Sequence, residues 1–267
     1  MKLKILTENT VFQAKMKAEL GFSLLIENDE GQTLLFDTGQ TDLYAHNAQI
    51  AEVDISAIQA LVISHGHYDH TGGLAHFLAH NNHAPVYAKK GFDVVRYGSG
   101  NRCIGLPTPN FLDASRIRTV TDITEVLPGI FVMPEVKLFD PHETHFTNME
   151  IQKGEGRAED QFEDEQYICI RHEGKITIVS GCAHRGIVNT IRSAKEHFSE
   201  PIRLVIGGFH TLHESPNKIS HIAKLMNQLE IEEIVACHCT GIEQYAQLKQ
   251  EYKGKISYGH VGMNYFV

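Results

Sequence analysis

Apolar residues along this chain gather in short unbroken runs bounded by turn formers, a pattern that predicts strands. The runs are FSLLIEN (22 to 28), QTLLFDTG (32 to 39), QALVISHG (59 to 66), QYICIRHEGKITIVSGCAH (166 to 184), IRLVIGGFH (202 to 210) and EIVACHCTG (233 to 241). Many lack polar alternation, as strands buried on both faces do. Glu30-Gly31 and Glu173-Gly174 have the chemistry of hairpin turns joining antiparallel neighbours, one in each half of the chain. Between the runs the apolar period becomes helical: GGLAHFLAHN, GIVNTIRSAKEHF (186 to 198), SPNKISHIAKLMNQL (215 to 229) and GIEQYAQLKQEY (241 to 252). In the third, Ile219, Ile222, Ala223, Leu225, Met226 and Leu229 share one broad face, with Ser215 as N-cap and Pro216 at the first helical position. Strands mixed with helices in both halves predict an α/β chain folded as an αββα sandwich, two mixed sheets face to face with helices outside.

From about 85 to 165 the pattern weakens. YGSGNRCIGLPTPNF is rich in Gly, Pro and Asn, and KGEGRAEDQFEDEQ is strongly acidic. The expected organisation is a single domain over 1–267, with 85–165 as an insertion or lid over the site. The acidic part reads equally well as a solvated surface loop.

Polar residues fall at the ends of the predicted strands. Asp37, the cluster His65, His67, Asp69 and His70, then Cys182 with His184, His210 and His238 each follow an apolar run at its C-terminal end. Such sheet ends are where α/β proteins commonly place ligand sites. In HGHYDH, two histidines one residue apart project to the same side of an extended segment and can bind one cation. Asp69 and His70, on the following turn, can take a second metal or support the first. Gly66 keeps bulk out from between the first two ligands, and Gly72-Gly73 lets the next helix begin close by. His76 and His80 are spaced i, i+4 and read as a solvated helix face. Cys237 and Cys239 flank His238 without a second CxxC, which makes them core or supporting thiols rather than a zinc knuckle.

Composition narrows the partners. The net charge is −9, from 24 basic and 33 acidic residues, which argues against nucleic acid and for a small substrate. No window approaches the about 20 apolar residues that span a bilayer, and the first residues lack the apolar core of a secretory signal. Five cysteines, an odd number without a framework spacing, suit a reducing compartment, so a cytoplasmic protein is expected. Seventeen histidines are the compositional oddity, since imidazole is the commonest metal ligand. Nothing in the pattern sets the oligomeric state.

SHGHYDHTGG resembles the HxHxDH signature of the metallo-β-lactamase superfamily, and LLFDTG resembles the aspartate-bearing strand end that precedes it there. SGCAHRGIVNTI, GGFHTLH and CHCTG are similar to a subgroup of metal-dependent hydrolases that carries the name dihydropterin ribofuranosyl-aminobenzene phosphate synthase. The resemblance implies that His65 and His67 are first-site ligands, that Asp69, His70 and His238 are second-site ligands, and that Asp37 orients a ligand histidine. Two segments depart from the pattern. Where many members have a histidine in GHTxG, this chain has FEDEQYICI with Glu163, Asp164 and Glu165, and where a bridging aspartate in GDT is common it has SGCAH. His184 is therefore assigned to the first site and Cys182 to the bridging position, while Glu165 or a neighbouring carboxylate is left as a further ligand.

The expected cofactor is two divalent cations, zinc first, with iron or manganese as alternatives. The expected chemistry is hydrolysis of a phosphorylated or otherwise anionic small molecule by a water that the metals activate, Asp69 orienting that water or accepting its proton. His210 is a second catalytic candidate, as a further ligand, a substrate-binding group or a general acid. The other readings are a synthase acting on a pterin-linked ribosyl phosphate, and a metal-binding sensor without turnover. Di-iron oxidoreductase chemistry ranks last, because no flavodoxin-like domain or Gly-rich dinucleotide fingerprint is present.

Overall fold

Successive residues of each apolar run go to alternate layers. In the run 22 to 28, Leu24 and Ile26 enter one buried cluster and Leu25 another; in the run 202 to 210, Leu204 and Ile206 enter the first cluster and Val205 a third. This is the two-residue period of a strand covered on both faces. The structure, a computed structural model, describes residues 1–107, 112 and 114–267. Its strands are β1 (Lys2–Thr7), β2 (Ser23–Glu27), β3 (Thr33–Phe36), β4 (Ala60–Val62), β5 (Val86–Ala88), β6 (Arg96–Tyr97), β7 (Ile117–Thr119), β8 (Thr124–Leu127), β9 (Ile130–Met133), β10 (Glu150–Lys153), β11 (Gly156–Glu159), β12 (Tyr167–His172), β13 (Lys175–Ser180), β14 (Ile202–Gly208), β15 (Ile231–Cys237), β16 (Lys255–Tyr258) and β17 (Asn264–Phe266). The helices are α1 (Leu43–Ile50), α2 (Tyr68–Thr71), α3 (Leu74–His80), α4 (Ile187–Lys195), α5 (Pro216–Met226) and α6 (Ile242–Glu251).

Two seven-stranded mixed sheets result, in the order β17-β1-β2-β3-β4-β5-β7 and β16-β15-β14-β13-β12-β9-β8. The cluster between them holds Leu3, Phe36, Val62, Ile168, Val179 and Val235. Outside the first sheet, Tyr44 and Ala48 of α1 pack with Leu74 and Phe77 of α3. Outside the second, α4, α5 and α6 deliver Ile187, Ile191, Ile219, Ile222, Met226 and Leu248. The layering is the αββα sandwich read from the pattern. No described helix is long and apolar enough to cross a membrane.

Both hairpins form. His172 pairs with Lys175 across Glu173 (φ 48) and Gly174 (φ 70), a two-residue turn with both residues left-handed, and Gly31 (φ 75) closes the turn between β2 and β3. Ser215 caps α5 by accepting from the amide of Lys218, with Pro216 in the first turn. The helix expected after the histidine cluster differs, because the chain first makes the single turn of α2 inside HGHYDH and only then enters α3. Added Cβ atoms at Gly72 and Gly73 would meet Gln40 O at 1.9 Å and Thr38 O at 2.5 Å. These glycines press the turn against the backbone that follows Asp37.

The 85–165 stretch differs from a simple insertion. β5 and β7 complete the first sheet, β8 and β9 complete the second, and only β6, β10 and β11 stand apart as a small third sheet. Residues 108 to 111 and 113, inside the Gly-, Pro- and Asn-rich part, lie outside the described residues. Its acidic part is not a solvated loop throughout, since Asp160, Asp164 and Glu165 are buried.

Candidate metal centre

The parallel segments of both sheets end at one edge. From the first sheet, β3 leads into Asp37 and β4 into Ser64-His65; from the second, β13, β14 and β15 lead into Cys182-Ala183-His184, His210 and His238. Four residues here, Asp37, Ala183, His210 and His238, have φ between 49 and 58. A left-handed residue other than glycine costs on the order of 1 kcal/mol, so the sharp bends that turn these strand ends toward one another are held by their surroundings.

Asp37 organises the first-sheet side. It accepts the amide of Ser64 at Oδ1 (2.7 Å), and its Oδ2 accepts both the Ser64 hydroxyl (2.7 Å) and His70 Nδ1 (2.7 Å). The Ser64 hydroxyl has one proton and gives it to Asp37, so the 2.9 Å contact with His65 Nδ1 is a bond that the imidazole donates. His65 and His70 both carry hydrogen on Nδ1 and present a bare Nε2. On the second-sheet side, His238 Nδ1 donates to Asn9 Oδ1 (2.8 Å) and His184 Nδ1 points at the carbonyl of His145 (3.4 Å).

The bare nitrogens converge. His65, Cys182 and His184 have donor atoms within 4.8 Å of one another, as do His70, Cys182 and His238. His70 Nε2 lies 3.0 Å from Cys182 Sγ, and His238 Nε2 lies 3.3 Å from Asp69 Oδ2. The His67 ring stands edge-on to those of His65 and His184, with centroids 4.7 and 4.9 Å away. Of the residues expected at the site from the sequence, His65, His67, Asp69, His70, Cys182, His184, His210 and His238 are thus brought together. Asp37 stands directly behind them.

Glu165 is placed differently. Its two oxygens accept the amides of His184 (2.7 Å) and Arg185 (2.9 Å), so it braces the turn carrying His184. Burial pushes its pKa up to about 7, against those two amides. Asp164 does the same for the other loop, accepting the amide of Gly66 at 2.8 Å, and Glu163 is exposed. His76 and His80 stack on each other outside the site, with ring centroids 4.0 Å apart. Cys237 belongs to the layer between the sheets, whereas Cys239 lies beside Cys182.

Three residues were missed in the sequence. The Phe162 ring stacks on His184 (3.7 Å, 7°) and closes off His65 and His67 edge-on. His145 is 3% exposed, with Nδ1 held by Glu214 (2.7 Å), which Lys218 also holds (2.9 Å). Arg96, 1% exposed, pairs with Asp160 and Asp164. The only signal for His145 was the second histidine of DPHETHF, and none marked the other two.

The donor set fits a cation. The Nε2 atoms of His65, His67 and His184 are buried and lack any hydrogen-bond partner; His238 Nε2 faces Asp69 at 3.3 Å, and although burial opposes it, Cys239 and Asp69 push the His238 pKa up to about 9. An unsatisfied buried polar atom costs about 1–3 kcal/mol, and three in one cluster are accounted for if they face a metal. Burial drives His65, His67 and His184 well below the ordinary histidine pKa, so these imidazoles are neutral, as ligation requires. Asp69 is held well below the usual carboxylate range: burial opposes its ionisation, but His238 and His70 outweigh it. An adjoining cavity of about 580 Å³ is lined by Asp69, Cys182 and His238 together with Tyr68, Arg102, His145 and His213. That volume suits a small molecule.

Asp37→Ala is expected to lower affinity for the cation held near His70 by about 10–100-fold, the usual effect of removing a ligand's outer partner. Competition with a chromophoric chelator measures it, and unchanged affinity would mean that His70 needs no orienting.

A family model described as the metallo-beta-lactamase superfamily matches residues 17–238. An uncharacterised protein of Methanocaldococcus jannaschii is 30% identical over 97% of this chain and 98% of its own length. A second protein of that organism, named 7,8-dihydropterin-6-methyl-4-(beta-D-ribofuranosyl)-aminobenzene-5'-phosphate synthase, is 29% identical over 91% of this chain and 88% of its own. Among solved structures, Tm1679, described as a metal-dependent hydrolase of the beta-lactamase superfamily, superposes with a TM-score of 0.88 at 32% identity, covering 100% of this chain and 99% of its own. With its two mixed sheets and a family match across most of its length, this chain belongs to the metallo-beta-lactamase superfamily, whose fold implies binding of divalent metal.

Proposed function

We propose that the protein is a metal-dependent hydrolase of a phosphorylated or otherwise anionic small molecule, of the phosphodiester or ester class. The observation that carries this reading is the convergence of bare, buried imidazole nitrogens on Cys182 beside a cavity of small-molecule size. His65, His67 and His184 would hold one divalent cation and Asp69, His70 and His238 a second, with Cys182 between them; zinc suits this set best, with iron or manganese as alternatives. When bound, such cations supply Lewis acidity toward an ester or phosphoryl oxygen and make water more acidic.

The chain's own residues do the positioning. Asp69, its side chain 14% exposed, offers an ionised carboxylate at the cavity edge to orient a water against the substrate. Phe162 covers the imidazoles from the other side and keeps bulk water off them. Arg102, placed over the Tyr68 ring at 5.6 Å, puts a guanidinium at the cavity wall where an anionic group can pair with it. The acidic chain and its five free cysteines support a cytoplasmic enzyme without a nucleic-acid partner.

The test is turnover of bis(p-nitrophenyl) phosphate by metal-loaded protein. Steady release of nitrophenolate that falls at least about 100-fold in His67→Ala supports the proposal, since removing even an outer partner of a ligand costs 10–100-fold. No turnover, together with activity on a pterin-linked ribosyl phosphate, supports the synthase reading that the name of the 29%-identical relative favours. Retained metal with neither activity would identify a sensor.

A further inference from the structure

Beside the two sets that center on the histidine cluster lies a third grouping of different chemistry. Cys182, His210 and Cys239 each offer a donor atom within 4.8 Å of the other two, and the two sulfurs are 3.2 Å apart without forming a disulfide. The three residues follow β13, β14 and β15, adjacent parallel strands of one sheet. Two glycines at the end of β14 make the approach feasible. A Cβ on Gly207 would lie 1.9 Å from the Ser180 carbonyl oxygen, and one on Gly208 would lie 2.6 Å from Cys239 Sγ. The backbone at His210 then turns left-handed, which brings its amide to donate to Cys239 Sγ at 3.2 Å, a bond that stabilises a thiolate. His210 Nδ1 is buried with no partner. All three residues also line the cavity.

We propose that Cys182, His210 and Cys239 form a thiophilic subsite, adjoining the other two sets through the shared Cys182, that binds one zinc-class cation through two thiolates and one imidazole, with its fourth position facing the cavity. Two thiolates and an imidazole are a set that zinc uses with an open position, and they discriminate against magnesium, calcium and manganese, which prefer oxygen. The other two sets each offer a single sulfur, the shared Cys182, and so have a weaker preference of this kind. Cys182 is common to all three groupings, so the subsite rests on the reading of this cluster as a metal centre. Cys239 and His210 belong to the subsite alone.

The test is anaerobic titration of the chelator-stripped full-length protein with cobalt(II), followed by absorbance. A near-ultraviolet thiolate-to-cobalt charge-transfer band is expected, reduced to roughly half in Cys239→Ser and Cys239→Ala. His210→Ala should keep the band but bind the cobalt responsible for it more weakly. His67→Ala should keep the band while losing cobalt elsewhere, so failure of the hydrolase reading alone leaves this result standing. Unfolding curves of the stripped variants that match the parent show that folding is not the cause. A band unchanged by both Cys239 variants, or no band in the parent protein, overturns the proposal. So does a count of three free thiols under anaerobic conditions, where five are expected from the five cysteines, because Cys182 and Cys239 would then be an oxidised pair.

Discussion

Arg96→Ala is expected to lower the free energy of unfolding by about 3–5 kcal/mol, the usual result of removing one partner from a buried ion pair. Arg96 is 1% exposed, and its Nε donates to Asp160 Oδ2 at 2.8 Å. Its Nη2 stands 2.7 Å from Asp164 Oδ1, a charge contact whose angle is too poor for a hydrogen bond. Nη1 reaches the carbonyls of Phe92 and Val94, both at 3.3 Å. Without the guanidinium, two carboxylates buried together lose their direct ionic partner. Burial already pushes Asp164 above the usual carboxylate range, with Arg96 the main force holding it down. Because Asp164 Oδ2 also accepts the amide of Gly66 between His65 and His67, the loop carrying these two proposed ligands is loosened in the same step. Urea unfolding of the metal-free protein gives the stability change and elemental analysis gives the retained metal. A loss below about 1 kcal/mol, typical of an exposed pair, would mean that the network is open to solvent. Replacing Arg96, Asp160 and Asp164 together by apolar residues of similar volume should restore part of the stability, since the cost lies in the unpaired charge.

Gly66→Ala acts on the same junction from the other side. Its Cβ would lie 1.8 Å from the carbonyl oxygen of Phe92 and 2.4 Å from Arg96 Nη1. The first is backbone and cannot rotate away, so either the 91–94 turn or the HGHYDH loop has to move. Overpacking of this kind costs about 1–3 kcal/mol and occasionally more; a backbone contact this close belongs at the upper end. The loop carries His65 and His67, so any shift in it is expected to act on function, as loss of metal at that end and of any hydrolysis with it. Gly31→Ala is the control. Its Cβ meets nothing within 4 Å, and its left-handed backbone (φ 75) costs on the order of 1 kcal/mol. Should Gly66→Ala melt and bind metal like the parent, the packing of Phe92 against this loop is not what fixes the ligands.

These two positions show where the sequence was readable. The strands that carry the site are unbroken apolar runs, and their ends stand out because Asp37, His65, His184, His210 and His238 each follow one directly. Local pattern therefore found both the elements and the polar residues they deliver. Gly66 and Gly72-Gly73 also drew notice, but for a different reason: they clear space for Phe92 O and for the backbone after Asp37, neither of which is near them in the chain. The acidic run holding Asp160, Asp164 and Glu165 reads equally well as a lid or a solvated loop, with Glu165 or a neighbouring carboxylate as a further ligand. The partners of these three are the Arg96 side chain and the amides of Gly66, His184 and Arg185, which only long-range folding brings together. Phe162 and His145 come from irregular segments with no period, so nothing local gave their direction. The strands β1, β16 and β17 carry no unbroken apolar run because Lys, Ser and Asn interrupt them, and they lie at or next to the sheet edges, where fewer buried positions enforce a pattern.

The proposed ligands come from both sheets: His65, His67, Asp69 and His70 from the first, Cys182, His184 and His238 from the second. A cation held by both groups is also a rivet across the seam between the two halves of the molecule. Loading and docking of the halves are then one linked equilibrium, in which free ion at a hundred times its dissociation constant adds about 2.7 kcal/mol to the folded state. For such a protein the metal supply of the cell would set its lifetime as well as its activity, and a starved molecule would first come apart along the edge where catalysis is proposed to occur.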